Sequence, residues 1–136
     1  MNKVFKVGLI GCGHIAETYF RGHQYFNNFK IVACADINPK AAEKCAKLFN
    51  IKHMTVNEIL KDQNIEVILN LTIPQSHYSV SKRVLNAGKH VYSEKPLATY
   101  FEKGKELVSL AKKKKLYIGN APDTFLGGGG QKAREL

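Results

Sequence analysis

Gly11-Cys12-Gly13-His14-Ile15-Ala16 sets three small residues at the spacing G-x-G-x-x-G/A. Each has a physical task if the chain turns there from a strand into a helix. Gly11 permits a tight turn, Gly13 lets the backbone approach a pyrophosphate with no Cβ between them, and Ala16 allows close helix–strand packing. The unpaired N–H groups and positive dipole end of such a helix favour phosphate. Asp36 follows Ala16 by 20 residues. A carboxylate there accepts hydrogen bonds from adenosine ribose hydroxyls, contributing about 1.5–3 kcal/mol. A 2′-phosphate in its place would face like charge, at a cost of about 1–4 kcal/mol. Ile37 and Asn38 supply no guanidinium to offset it, so NAD is expected over NADP. The structural alternative for Asp36 is a cap on the helix that Pro39 begins.

Two further segments carry chemistry. Leu71-Thr72-Ile73-Pro74-Gln75-Ser76-His77 closes an apolar run, at the carboxyl edge where open α/β sheets bind ligands. Pro74 keeps Ile73 extended. His77 has two readings, approach to a cofactor or a hydrogen bond to its own loop. In Tyr92-Ser93-Glu94-Lys95-Pro96-Leu97-Ala98, Lys95 leaves a strand, and Pro96 biases it to an extended geometry that points its ammonium across the crevice. It could hydrogen-bond a substrate hydroxyl, or act as a base if desolvation lowers its pKa. By spacing alone, such a turn is more often surface than catalytic. The other histidines, His14, His23, His53 and His90, lack ligand spacing, as do Cys12, Cys34 and Cys45, so no metal site is expected.

The elements that must position these residues alternate along the chain. Strands are expected over Val4–Gly11, Lys30–Ile37, Met54-Thr55, Val67–Ile73, His90–Glu94 and Leu116–Ala121. Helices are expected over His14–Phe26, from Pro39 with Ala41, Ala42, Cys45, Leu48 and Phe49 as one stripe, after an Asn57 cap, and over Gln75–Ala87 with Gly88 behind it. Thr99 and Glu102 read as a capping box for a last helix, which the run Lys112–Lys115 ends. Repeated strand–helix units mean an α/β fold, a doubly wound, mostly parallel Rossmann-like sheet covered on both faces. Residues 1–121 are expected to form a dinucleotide-binding domain. Residues 122–136, with the glycines 127–130, read as a linker and the start of a truncated second domain.

Composition narrows the classes. A chain of 136 residues has room for about one domain. Its 44% hydrophobic and 24% charged residues argue against disorder. No apolar run approaches the ~18 residues of a membrane span, and the glycines, His14 and Glu17 disqualify the N-terminus as a signal peptide. The net charge of +10 reads as a solvated basic face before a nucleic-acid patch, because aromatic residues do not interleave with the basic ones as they do in single-strand binders. An odd number of cysteines suits reduced thiols in the cytoplasm.

The glycine turn, the Thr72–His77 turn and Glu94-Lys95-Pro96-Leu97-Ala98, in this order, resemble the Gfo/Idh/MocA oxidoreductases. The resemblance spans essentially the whole chain and extends into the segment from Ala121 to Gly129. It implies an N-terminal Rossmann domain followed by an α/β domain that supplies most of the substrate pocket and the oligomer contacts. By resemblance, Gly11, Gly13, His14, Ile15 and Asp36 hold the adenine half of the cofactor. Thr72, Ile73, Pro74 and His77 line its middle, and Glu94 and Lys95 sit by the nicotinamide. Lys95 is then the catalytic residue, acting on a carbinol of a sugar, cyclitol or related substrate. The family's second domain is not present in this sequence, so the chain alone is expected to bind NAD and turn over little. The alternative is a stand-alone NAD-binding sensor or partner module.

Overall fold

A computed structural model of the chain describes residues 3–121 and 127–136. Six short strands form its sheet: β1 (Phe5–Ile10), β2 (Phe29–Ala35), β3 (Lys52–His53), β4 (Val67–Asn70), β5 (His90–Ser93) and β6 (Ile118–Asn120). All pair in parallel, in the order β3-β2-β1-β4-β5-β6. The helices are α1 (Ala16–Gly22, continued by a 3-10 turn at His23–Tyr25), α2 (Pro39–Phe49), α3 (Val56–Lys61), α4 (Pro74–Asn86), α5 (Phe101–Lys114) and α6 (Gly128–Glu135).

Alternation along the strands sends apolar side chains to two separate cores. Val7, Leu9, Ile31, Cys34 and Leu69 meet Ala16 and Phe20 of α1 and Cys45 and Ala46 of α2. Ile10, Ala33, Ala35, Ile68 and Val91 meet Ile59 of α3, Val84 and Leu85 of α4, and Leu107 and Ala111 of α5. Both faces are covered, so the fold is the doubly wound one that the strand–helix alternation implies. Phe20 stacks on Phe49 with ring centroids 4.2 Å apart, locking α1 to α2. Val7 pairs with Ile31 and Gly8 with Ala33, leaving Val32 as an extra residue in β2. That offset brings Ala35 beside Ile10 and lets Gly11 N–H donate to the Ala35 carbonyl at 2.9 Å.

Several local expectations shift for identifiable reasons. The first helix starts at Ala16, two residues later than expected, because residues 13–15 belong to the glycine turn. The short strand lies at Lys52–His53, not at Met54-Thr55, because Thr55 and Glu58 form a reciprocal capping box that opens α3. Asn57, expected as that cap, instead accepts a hydrogen bond from Arg83 at 2.8 Å. The Thr99–Glu102 box does not form. Half-buried Leu97 packs on the core and fixes the turn, so α5 begins at Phe101, after an extended Tyr100 with no side-chain cap. Residues 127–130, expected as a flexible link, lead into α6: Gln131, Lys132, Ala133, Arg134 and Glu135 are strong helix formers, and their helix extends back to Gly128. Residues 122–126 lie outside the described residues. Among those described, no helix is long and apolar enough to cross a membrane.

Candidate functional site

A parallel sheet puts the carboxyl ends of all its strands on one edge. Along that edge stand Asp36 after β2, the glycine turn after β1, Thr72-Ile73-Pro74 after β4, and Glu94-Lys95 after β5. These four stations span three strand spacings, about 14 Å. β1 is flanked by β2 on one side and β4 on the other, so the turn after it lies at the topological switch point.

The two glycines of the first turn do different work. Gly11 has φ +103°, and a Cβ there would stand 2.5 Å from the Leu71 carbonyl oxygen. It is what lets this turn lie directly against the next one. Around Gly13 an added Cβ would meet nothing within 4 Å, leaving open backbone. Ala16 N–H donates to Gly13 C=O at 3.1 Å, whereas the N–H groups of Gly13, His14 and Ile15 have no partner among the described residues. The side chains of His14 and Ile15 are exposed.

Asp36 ties the turn down. Its carboxylate accepts from Cys12 N–H at 2.7 Å and from Asn38 N–H at 2.8 Å. The cap of α2 is Asn38, whose side chain accepts from Lys40 N–H at 3.1 Å. Asp36 therefore braces the glycine turn, and each oxygen keeps a lone pair for a further donor. Open backbone at Gly13, three unpaired N–H groups and a braced carboxylate fit a dinucleotide's pyrophosphate and adenosine ribose.

The other two turns are knotted together by buried polar groups. Asn70, fully buried at the end of β4, donates through its amide to His77 C=O at 3.0 Å and to Ser81 Oγ at 2.9 Å. Its amide oxygen accepts from Thr72 Oγ1 at 2.7 Å and from Thr72 N–H at 3.3 Å, which ends the strand three residues before Ile73. His77, also buried, sets Nδ1 against Pro96 C=O at 2.6 Å and Nε2 against Thr72 C=O at 2.8 Å. Of its two readings, the structure adopts the loop-bonding one, and the bond reaches the Glu-Lys-Pro turn as well. Tyr19 of α1 donates to Glu94 at 2.8 Å, and the other Glu94 oxygen accepts from Lys95 N–H at 3.1 Å. Asn120 donates to the Ser93 and Glu94 carbonyls at 2.9 and 3.0 Å. Ile73, Pro74 and Lys95 are exposed, and the Lys95 ammonium has no partner among the described residues. The Lys95–Pro96 peptide is cis.

Asn70→Leu leaves Thr72, Ser81 and the His77 carbonyl without their buried partner. It is expected to cost about 2–4 kcal/mol, a fall in Tm of roughly 6–15 °C by thermal melting. A melting point within about 2 °C of the parent would show that the knot does not hold the turns.

Spacing gives no sign of Asn70, Ser81, Asn120 or Tyr19. It also hides a cluster of thiols: the Sγ atoms of Cys12, Cys34 and Cys45 lie within 4.8 Å of one another. A mainly apolar groove of about 500 Å³ is lined by Phe5, Val7, Phe29, Leu69 and Tyr92 with Thr18, His23 and Asn28 among them, and the glycine turn takes no part in it. A phosphate-bearing ligand needs clustered backbone donors, which the glycine turn offers at Gly13, His14 and Ile15, so the crevice is the candidate site.

Comparison with known proteins agrees with this geometry. The family Gfo/Idh/MocA, described as an oxidoreductase family with an NAD-binding Rossmann fold, matches residues 5–121. An uncharacterised oxidoreductase of Schizosaccharomyces pombe is 38% identical over 95 residues, 68% of this chain and 26% of that one. Inositol 2-dehydrogenase/D-chiro-inositol 3-dehydrogenase of Lacticaseibacillus casei is 29% identical over 119 residues, 83% of this chain and 34% of that one. The crystal structure of myo-inositol dehydrogenase from Lactobacillus casei, in complex with NAD(H) and myo-inositol, superposes with a TM-score of 0.86 at 26% identity, over 97% of this chain and 40% of that one. Biliverdin reductase from Synechocystis, in complex with biliverdin and NADP+, gives 0.88 at 28% identity, over 96% of this chain and 42% of that one. The chain spans about a quarter to a third of the length of these curated relatives.

Proposed function

Since the chain belongs to the Gfo/Idh/MocA oxidoreductase family and carries its NAD-binding Rossmann fold, we propose that it is the cofactor-binding part of a dehydrogenase acting on the carbinol carbon of a sugar, cyclitol or related polyol. The observation that carries this reading is the row of stations on one sheet edge, from Asp36 through Gly13 to Lys95. Bound there, NAD supplies a hydride acceptor. The chain's own residues bind and orient. Gly13, His14 and Ile15 offer N–H groups to the pyrophosphate, and Asp36 takes the ribose hydroxyls. Thr72, Ile73 and Pro74 border the middle of the crevice, with His77 holding their turn from below. Glu94, braced by Tyr19, shapes the far end, and the free Lys95 ammonium hydrogen-bonds the substrate hydroxyl and handles its proton.

A second domain, of the kind the longer relatives have room for, would complete the substrate pocket and carry contacts between subunits. Such a domain matters to turnover, because positioning both reactants accounts for about 7–11 kcal/mol of a barrier. Three free cysteines suit the reducing cytoplasm, where we place the protein.

Calorimetric titration of the chain with NAD tests the reading. Saturable one-to-one binding, only mildly weakened by salt, is expected. A cooperatively melting chain that binds neither NAD nor NADP would overturn it. If the protein carrying this domain binds NAD yet oxidises no polyol, it is a binding module and not an enzyme.

Asp36→Arg tests cofactor choice. It removes the like-charge penalty on a 2′-phosphate, so the NADP-to-NAD affinity ratio should rise about tenfold or more. The same change strips Cys12 and Asn38 of their acceptor, so Tm should fall as well. An unchanged affinity ratio would leave Asp36 as a brace alone.

A further inference from the structure

We propose that Cys12, Cys34 and Cys45 form a three-sulfur site for a single thiophilic monovalent d10 cation of the Cu(I) class. The three residues come from the glycine turn, β2 and α2, and their sulfurs lie within 4.8 Å of one another. A centre equidistant from three sulfurs at that separation lies about 2.8 Å from each, about 0.5 Å longer than a metal–thiolate bond of ~2.3 Å. Binding would draw each sulfur inward by about that distance. No imidazole or carboxylate joins the group among the described residues. An all-sulfur, three-donor set selects a soft ion content with three ligands, whereas structural zinc takes four.

Access and surroundings suit this role. Cys34 is fully buried and Cys45 nearly so, while Cys12 is half-buried at the wall of a cleft of about 350 Å³ that Cys45 and Lys44 also line. An ion can enter at Cys12 and end on a sulfur that solvent does not reach. Three thiols taking up one monovalent cation release three protons and leave a centre of charge −2. Lys44 on the cleft wall and the chain's overall charge of +10 favour that charge, against Glu17 on the same wall and the Asp36 carboxylate, which acts on Cys34 and Cys45. Cys12 Sγ donates to Ala35 C=O at 3.6 Å and Cys34 Sγ to Ala42 C=O at 3.4 Å, bonds that metal uptake would replace, and burial pushes Cys45 up to about 11.

The test uses the reduced chain without oxygen, with Cu(I) presented as its bicinchoninate complex. Loss of the complex's colour, native mass and an ultraviolet sulfur-to-copper band are followed together. The expected result is one copper per chain, with up to three protons released. Cys12→Ala and Cys45→Ala should each weaken uptake about tenfold or more, as loss of a ligand requires. Cys12→Ala is the informative variant, since a half-buried residue in a turn can shrink without emptying the core, and its melting curve verifies folding. Copper uptake within about threefold of the parent in a normally melting Cys12→Ala chain would overturn the site. So would binding that passes one equivalent without saturation. Because the readout is copper uptake, failure of this site leaves the cofactor reading untouched, and absence of NAD binding leaves the site untouched.

Discussion

Gly13→Val should weaken NAD binding by about a hundredfold or more, about 2.7 kcal/mol, with Tm moving by less than about 3 °C. The two effects separate because the space beside Gly13 is empty of protein, so a side chain there disturbs only what docks against the turn. Gly11→Ala should do the reverse. Its Cβ would collide with the Leu71 backbone at 2.5 Å, at a φ of +103° that alanine resists. Strain and overpacking together come to about 2–6 kcal/mol, enough to lower Tm by about 10 °C or more. Calorimetry and melting on the two variants check both halves. Undiminished NAD affinity in Gly13→Val would move the pyrophosphate elsewhere.

Lys95→Ala, in the protein that carries this domain together with its substrate pocket, should lower kcat toward a polyol such as myo-inositol by about 10²–10⁴. NAD affinity should stay within about threefold. The split follows from placement: Lys95 stands at the far end of the crevice from Asp36 and Gly13, its ammonium without a partner among the described residues, while its backbone N–H rests on Glu94. Under the proposed role, loss of the amine takes away the proton-handling group and leaves the floor intact. The fall should appear in kcat and not in KM for NAD, a split that a merely structural role would not give. Turnover at the parent rate would remove Lys95 from the chemistry.

Much of this site is legible as short spacings. The glycine turn, Asp36 and the Glu94–Pro96 turn are local signals, because each reports a backbone conformation or a charge at the end of one strand. Fold class follows from the same logic, as Val7, Leu9 and Ile10 in β1 and Ile31, Ala33 and Ala35 in β2 leave few polar breaks for an exposed face. Contacts across elements are not local. Tyr19 and Glu94 are 75 positions apart, and His77 and Pro96 are 19 apart, so no motif spans them. The thiols escape for the same reason: they belong to three elements that only the β1–β2–α2 packing brings together. Helix starts misplace by a residue or two: before α5 a tertiary contact of Leu97 decides, whereas before α3 the Thr55–Glu58 capping box is a local signal that the Asn57 reading passed over.

The His77 ring has a kinetic consequence. One imidazole spans the carbonyls of Thr72 and Pro96, and Asn70 holds the backbone on which that imidazole sits. A neutral imidazole carries one N–H and donates to one of these carbonyls, while its buried ring stands between the two turns. The floor beneath the middle and far end of the crevice is thus tied together by buried groups, which hold it in place before anything docks. A visiting molecule meets a surface already set. Its arrival rate is then governed by diffusion and charge rather than by waiting for the turns to open.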